Sequence, residues 1–401
     1  MKTFDEALSY LVGQARRAQP TEQVDLVDAL GRVLAEPIVS GVQVPPHDNS
    51  EMDGYAIDRM DLTHEDTFRV SQRVVAGSTP EPLEVGTVAR IFTGAPIPKG
   101  ANAVIMQEDT ELVGDKVKIL TKTTRPGQSI RRAGEDIEAG TTILEKGHRL
   151  RSQDMGLTAS IGIGSVTVYR PLKIATFTTG DELLEPGEAP QHGKIYNTNR
   201  YVLAGALSKL GFEWIDLGRV PDTLEDTIAV LQQAAEVADV VMTTGGVSVG
   251  EEDHIKPAVE SVGRLELWKV KMKPGKPLAF GEVSGKPFIG LPGNPVSAFA
   301  TFNLFARPYL LRMQGVKNIC ITPIWLAADF DWPTANFRRE FARARLVVPE
   351  GETKTVVQVY PQQGSGVLTS TVWADGFVMI PEDRTLSKGD IVAFYPFSEM
   401  V

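Results

Sequence analysis

Residues 239–256 read DVVMTTGGVSVGEEDHIK, and the fold turns on them. Val240, Val241 and Met242 form a short apolar run, long enough for a buried strand and too short for a helix. Thr243-Thr244-Gly245-Gly246 breaks the run. A glycine pair removes two Cβ atoms and lets backbone N–H groups approach an anion closely. Ser248, Gly250, Glu251, Glu252 and Asp253 follow. A loop of this kind beyond the carboxyl end of a strand is where open α/β sheets take their ligands. Two other loops share its character: Thr178-Thr179-Gly180-Asp181-Glu182, after apolar Ile174–Phe177, and Gly290-Leu291-Pro292-Gly293-Asn294-Pro295, after Pro287-Phe288-Ile289. On one sheet, the three would line one pocket.

Outward from this stretch, strands and helices alternate between Pro171 and about Gly315. The expected strands are 173–178, 212–217 and 239–242. The expected helices are 198–210, 223–237 and 253–262, and strand-like segments at 266–272, 278–282 and 286–290 precede a long helix over 295–314. Strands alternating with helices specify a parallel sheet with right-handed crossovers. Upstream, 40–140 reads as an inserted β-rich domain, with strands over 68–75, 88–93, 103–107 and 116–120 separated by glycine turns. Asn49–Ala56 and Thr93–Pro98 read there as turns. Residues 3–18 form an amphipathic helix with Thr3 and Glu6 as a capping box, and a short helix is expected over 26–35. Thr141–Leu150 reads as a hairpin turning at Lys146-Gly147, Ser152 as the N-cap of a helix to Ile161, and 166–169 as a strand. Downstream, 316–401 loses its helices: strands at 324–328, 341–348, 355–360, 367–371, 377–380 and 391–397 suggest a small β-barrel.

The 401 residues carry a net charge of −10, from 41 basic and 51 acidic side chains. That balance disfavours nucleic acid or an anionic membrane as the main partner, while leaving room for an anionic substrate at a local basic cluster. One cluster exists, at Lys269, Lys271, Lys273 and Lys276. The single cysteine, Cys320, excludes an internal disulfide and a multi-cysteine metal site, and is expected as a small buried apolar residue. No signal peptide and no run of about 18 apolar residues is visible, so a cytoplasmic protein is expected.

The carboxylates Asp48, Asp53, Asp181, Glu182, Asp222, Glu252 and Asp253 stand in or beside Gly/Pro-rich turns. Mg²⁺ asks for a few carboxylates plus substrate oxygens. Helix capping is the competing use: Asp222 heads Asp222-Thr-Leu-Glu225, a capping box, and Asp253 stands at a helix start. Lys269, Lys271 and Lys273 alternate, so on one strand they share a face, and Lys273-Pro274-Gly275-Lys276-Pro277 presents lysines on a stiff turn suited to an oxyanion. A solvated strand face is the alternative. The loop 290–297 opens a helix, whose free N–H groups attract anions. There is no P-loop, no G-x-S-x-G, no H-E-x-x-H and no Rossmann G-x-G-x-x-G.

Seven motifs occur in order: PPHDNSEMDGYA (45–56), TGAPIPKGANAVI (93–105), RRAGEDI (131–137), TGDEL (180–184), TTGGVSVGEEDHIK (243–256), KPGKPLAFG (273–281) and GLPGNPVSA (290–298). Together they closely resemble the MoeA family of molybdopterin molybdenumtransferases, which is similar to the E domain of gephyrin. The resemblance spans essentially the whole chain. It implies insertion of molybdate into adenylylated molybdopterin with release of AMP, dependent on Mg²⁺. It further implies a homodimer whose active-site clefts are built by both subunits, supplied by an adenylyltransferase and serving recipient molybdoenzymes. The implied domains are a split linking segment (21–40 and 141–170), the insert (41–140), an α/β molybdopterin-binding domain (1–20 and 171–315) and a C-terminal barrel (316–401).

By the same resemblance Asp53, Thr93, Glu182, Asp222, Asp253, Lys269 and Lys273 are functional residues. Glu182 and Asp253, with Asp222, would hold Mg²⁺; Lys273 and Lys276 would bind molybdate or phosphate, with Lys269 nearby. Gly245, Gly246, Ser248 and Gly293 would receive the pterin phosphate or oxyanion beside the rigid Pro292 and Pro295, and Asp53 and Thr93 would approach from the partner subunit. The alternatives are the adenylyltransferase itself, which lacks the insert and the tail, and a gephyrin-like scaffold.

Overall fold

The computed structural model describes residues 1–16, 20–121, 123–246 and 254–400. The N-terminal helix α1 spans Phe4–Gly13, and its capping box is formed: Thr3 N–H donates to Glu6 Oε2 (2.8 Å) and Glu6 N–H to Thr3 Oγ1 (3.2 Å). The α/β unit follows the alternation: β1 Lys173–Thr179, α2 Thr198–Leu210, β2 Glu213–Val220, α3 Leu224–Val237, β3 Val240–Thr244, α4 Ile255–Val262, β4 Gly263–Lys269, β5 Pro277–Val283, β6 Lys286–Leu291, α5 Pro295–Thr301 and α6 Arg307–Gln314.

The six strands lie in the order β2-β1-β3-β6-β5-β4. β1 is parallel to β2 and to β3, and β3 is parallel to β6. The sheet is not wholly parallel: β5 and β4 run antiparallel at the edge. Only Ser284 and Gly285 separate β5 from β6, with φ of 47° and 82°. That is a two-residue hairpin turn, which joins antiparallel strands and leaves no room for a crossover. Successive side chains of β1 part to opposite faces. Ile174 joins Phe4, Leu11, Leu203, Leu207 and Phe305 on one side, while Ala175 joins Leu231, Ile255 and Val259 on the other. Helices therefore cover both faces, as parallel strands require.

Several expectations are corrected. The helix over 295–314 is interrupted by a π-helical turn, Phe302–Ala306, because Pro308 lacks the N–H an α-helix would use there. The segment 266–272 is not one strand: β4 stops at Lys269, and Met272–Lys273 pairs with Arg339–Glu340 in the C-terminal sheet. The three alternating lysines therefore share no strand face. Asn49–Ala56 is not simply a turn, since Gly54–Ile57 is a buried strand second from one edge of the insert's six-stranded sheet.

Thr141–Leu150 does not fold on itself; Thr142–Leu144 pairs with Ile38–Val39, and Thr21–Asp25 with Ser165–Tyr169. Of 26–35 only Leu26–Asp28 is helical, as a 3₁₀ turn. Ser152 is the first helical residue, and Asp154 caps by accepting the Arg151 N–H at 2.8 Å.

In the tail, strands Ile324–Ala328, Arg339–Val347, Val356–Val359, Gly376–Ile380 and Ile391–Pro396 close into a five-stranded barrel. The expected strand over 367–371 is instead part of a short helix, Thr369–Trp373; the hydroxyls of Ser370 and Thr371 donate to the carbonyls three residues back. Cys320 is exposed rather than buried, in the link between α6 and the barrel. Among the described residues no helix is long and apolar enough to cross a membrane.

Candidate functional site

A cavity of about 1140 Å³ opens above the carboxyl ends of β1, β3 and β6. Four loops of the sheet reach it: Gly180 and Glu182 after β1, Asp222 after β2, Gly245 and Gly246 after β3, and Pro292, Gly293 and Pro295 after β6. The turn carrying Lys273 and Lys276 forms another wall. Acid-bearing loops and the lysine turn thus share one space. Lys269, Asp53 and Thr93 are not on its wall. Ser248 and Asp253 lie outside the described residues.

The loops are fitted backbone to backbone. A Cβ on Gly293 would lie 3.5 Å from Gly245 Cα, ordinary van der Waals contact, so the two loops run side by side. Gly245 N–H donates to the Leu291 carbonyl at 3.1 Å, which removes it from the anion-binding role expected of it. Likewise Val296 N–H, in the first turn of α5, donates to the Ser365 carbonyl at 3.0 Å. Asp222 is not the cap of α3: Thr223 is, accepting from Asp226 N–H at 3.2 Å. With capping done by its neighbour, Asp222 stands on the cavity wall.

The lysine turn is stiff because it is packed. Gly275 has φ of +98°, and a Cβ there would meet Thr301 Oγ1 at 2.4 Å, so the turn lies directly on α5. Lys273 Nζ is 3.0 Å from Glu340 Oε2, and the Glu340 side chain is only 7% exposed. Glu340 also accepts from Asn336 Nδ2 at 2.9 Å. Lys273 is thereby held by a buried carboxylate, whereas Lys276 is exposed and makes no ion pair among the described residues.

Two walls were not legible as site residues. The first is the start of α2. Asn197 caps the helix, accepting from Arg200 N–H at 3.4 Å and donating to Thr178 Oγ1 at 2.8 Å. Asn199 Nδ2 donates to the Gly293 carbonyl at 2.7 Å. A 13-residue helix therefore brings its positive end to the cavity. Asn197-Thr198-Asn199 opening a helix inside an α/β unit was the available signal. The second is Gln363–Gly366 of the tail, with Arg338. Arg343, 1% exposed, fixes that loop by donating to the carbonyls of Gly364 (2.9 Å) and Gln362 (3.3 Å) and to Ser370 Oγ (2.9 Å). Burial among neutral acceptors lowers the Arg343 pKa to about 10.

In the insert, Asp53 Oδ1 accepts from both the N–H and the hydroxyl of Thr93, each at 2.8 Å. Those two bonds, the backbone one foremost, hold the Asp53 carboxyl below its ordinary range. Glu182 and Asp222 give the cavity two carboxylates, a donor set that suits Mg²⁺ when phosphate oxygens complete its shell. Among the described residues no trio of His, Cys, Asp or Glu would enclose a metal unaided.

Three family profiles match the chain in order: the MoeA N-terminal region (domain I and II) over 2–162, a probable molybdopterin binding domain over 175–312, and the MoeA C-terminal region (domain IV) over 326–397. The chain is 39% identical to a molybdopterin molybdenumtransferase of Haemophilus influenzae, with 100% of both chains covered. It is 34% identical to molybdopterin molybdenumtransferase 2 of Mycobacterium tuberculosis, over 93% of this chain and 94% of that one. Among solved structures, the molybdopterin biosynthesis MoeA protein of Pyrococcus horikoshii OT3 is similar with a TM-score of 0.84 at 34% identity, covering 99% of this chain and 100% of that one.

Proposed function

The chain belongs to the MoeA family, and from that premise we propose that it transfers molybdenum to molybdopterin, the activity for which its full-length relatives are named. The observation that carries the assignment of the site is the shared cavity: carboxylates on strand-end loops face a lysine-bearing turn across a space large enough for a pterin with a phosphate chain. The substrate arrives adenylylated, and molybdate takes part as AMP leaves. Breaking a phosphoanhydride builds negative charge on the bridging oxygen. Lys273 and Lys276 bind the oxyanion, and the buried Glu340 keeps the Lys273 ammonium in place. The α2 N-terminus adds its partial positive charge from a second side. Glu182 and Asp222 would hold Mg²⁺, which would supply positive charge to offset that building on the leaving group. Asp53 and Thr93 of a second copy complete the cleft in a homodimer. The protein works in the cytoplasm, between an adenylyltransferase and recipient molybdoenzymes.

The test has two parts. The purified chain should release AMP from adenylylated molybdopterin only when molybdate is present, and the gene should restore molybdoenzyme activity to cells lacking the transferase. AMP release indifferent to molybdate, or failure to restore activity by a folded chain, contradicts the reading. An ATP-dependent adenylylation of molybdopterin would instead favour the adenylyltransferase.

A further inference from the structure

One face of the inserted sheet carries a charge pattern that its folding does not explain. Arg73 and Arg90 are register partners on the parallel strands Thr67–Val74 and Thr87–Ile91. Like charges directly opposite one another on neighbouring strands are destabilising. The ion pairs of the insert are Arg69–Glu84, Lys118–Asp66 and Arg132–Asp48; neither Arg73 nor Arg90 is in one among the described residues. Both guanidinium groups rest on one ring: Arg73 Cζ lies 4.7 Å and Arg90 Cζ 4.6 Å from the Phe92 centroid. Arg90 is fixed further by donating to the Gly54 carbonyl (2.9 Å) and to Gln107 Oε1 (2.8 Å). Arg73 is exposed, and Arg90 and Phe92 are half-buried. Next to them stand Thr93 and Asp53, the latter a carboxylate whose Oδ1 takes both Thr93 hydrogen bonds.

We propose that this face binds a planar heterocycle carrying a phosphate. Guanidinium forks suit phosphate oxygens. A guanidinium–aromatic stack suits a flat ring. The Asp53 carboxylate, at the other end of the patch, suits an exocyclic amine. Phosphate charge relieves the repulsion between the two arginines, which explains why the pair is tolerated. Both halves of adenylylated molybdopterin have this chemistry, the nucleotide and the pterin phosphate. The link to that substrate rests on the function proposed above; the binding face itself does not.

Calorimetric titration of the full chain with AMP, with neopterin monophosphate and with inorganic phosphate tests it. At least one heterocyclic phosphate should bind, at least tenfold more tightly than inorganic phosphate, and the tighter of the two identifies the half. Its Kd should rise tenfold or more in Arg73→Gln and in Phe92→Leu, and stay unchanged in Arg69→Gln, whose guanidinium is already paired with Glu84. Without ligand, the Tm of Arg73→Gln should equal or exceed that of the parent. No binding by either heterocycle, inorganic phosphate binding as tightly, an unchanged Kd in Arg73→Gln, loss of binding in Arg69→Gln, or a fall of several degrees in the Tm of Arg73→Gln each overturns the proposal. A chain that binds here but transfers no molybdenum sinks the function above and leaves this face standing.

Discussion

Lys273 joins two walls of the cavity: its turn lines it, while a buried carboxylate of the barrel, Glu340, anchors its ammonium at 3.0 Å. Lysine on a flexible stem is a poor positioning group unless something holds it. Glu340→Gln removes the charge but keeps the size and one hydrogen-bond acceptor. It should lower turnover several-fold and raise the KM for molybdate, a smaller effect than Lys273→Ala; steady-state kinetics at varied molybdate reads the difference.

A second residue-scale expectation concerns stability rather than catalysis. Asp154, 3% exposed, accepts from the Arg151 side chain and faces His148 Nε2 at 2.7 Å. The Arg151 hydrogen bond foremost holds its carboxyl far below the ordinary range. A depressed carboxylate contributes stability above its unfolded pKa, about 3.9, and loses it as pH falls below. Asp154→Asn should therefore cost on the order of 2–3 kcal/mol at pH 7. The Tm gap to the parent should close progressively below about pH 4.

At the scale of elements, the cavity is positioned by turns that have no slack. Gly275 lies on Thr301, and its φ of +98° is one that alanine rarely adopts. Gly275→Ala should destabilise by about 1–3 kcal/mol, through overpacking, and displace the lysine turn from α5, visible as a lower denaturant midpoint together with a raised KM. Thr223 and Asp222 separate capping from function. Thr223→Ala should cost about 1 kcal/mol of stability with turnover little changed, because Thr223 caps α3. Asp222→Asn, on the cavity wall, should instead lower turnover. Sequence spacing put the N-cap one residue early. Asp-Thr-Leu-Glu and Thr-Leu-Glu-Asp both fit the pattern, and only backbone geometry decides between them. The same limit explains the lysines: alternation implied one strand, but Met272 N–H bonds to the Val270 carbonyl at 2.8 Å and Lys273 pairs with Glu340 of the barrel, so the chain leaves β4 and turns.

Across the whole molecule, what was legible in the sequence is what local pattern encodes. Apolar runs ending in Gly-rich loops gave β1, β3 and β6 and the floor of the cavity. Hydrophobic alternation gave the barrel strands but not the helix at Thr369–Trp373, where hydroxyl-to-carbonyl bonds outweigh β propensity. The remaining wall was hidden because it is built from far away in sequence. Gln363–Gly366 reaches the cavity only because Arg343 ties that loop to the barrel and the Ser365 carbonyl receives Val296 N–H. A buried arginine with three neutral acceptors has no sequence signature. The edge hairpin was equally opaque, since Ser284-Gly285 specifies its turn only once β5 and β6 are known to be neighbours.

The most direct measurement is single-turnover AMP release from adenylylated molybdopterin with molybdate, compared among the parent chain, Glu182→Gln, Lys273→Ala and the double variant. Each single change should slow release by roughly 10²–10³-fold, the scale of losing one electrostatic stabiliser. The double variant should be little slower than the singles, because groups acting on one transition state are not additive. Near-parental release by either single variant, with the fold intact, would contradict the placing of acid and lysine at one reacting centre.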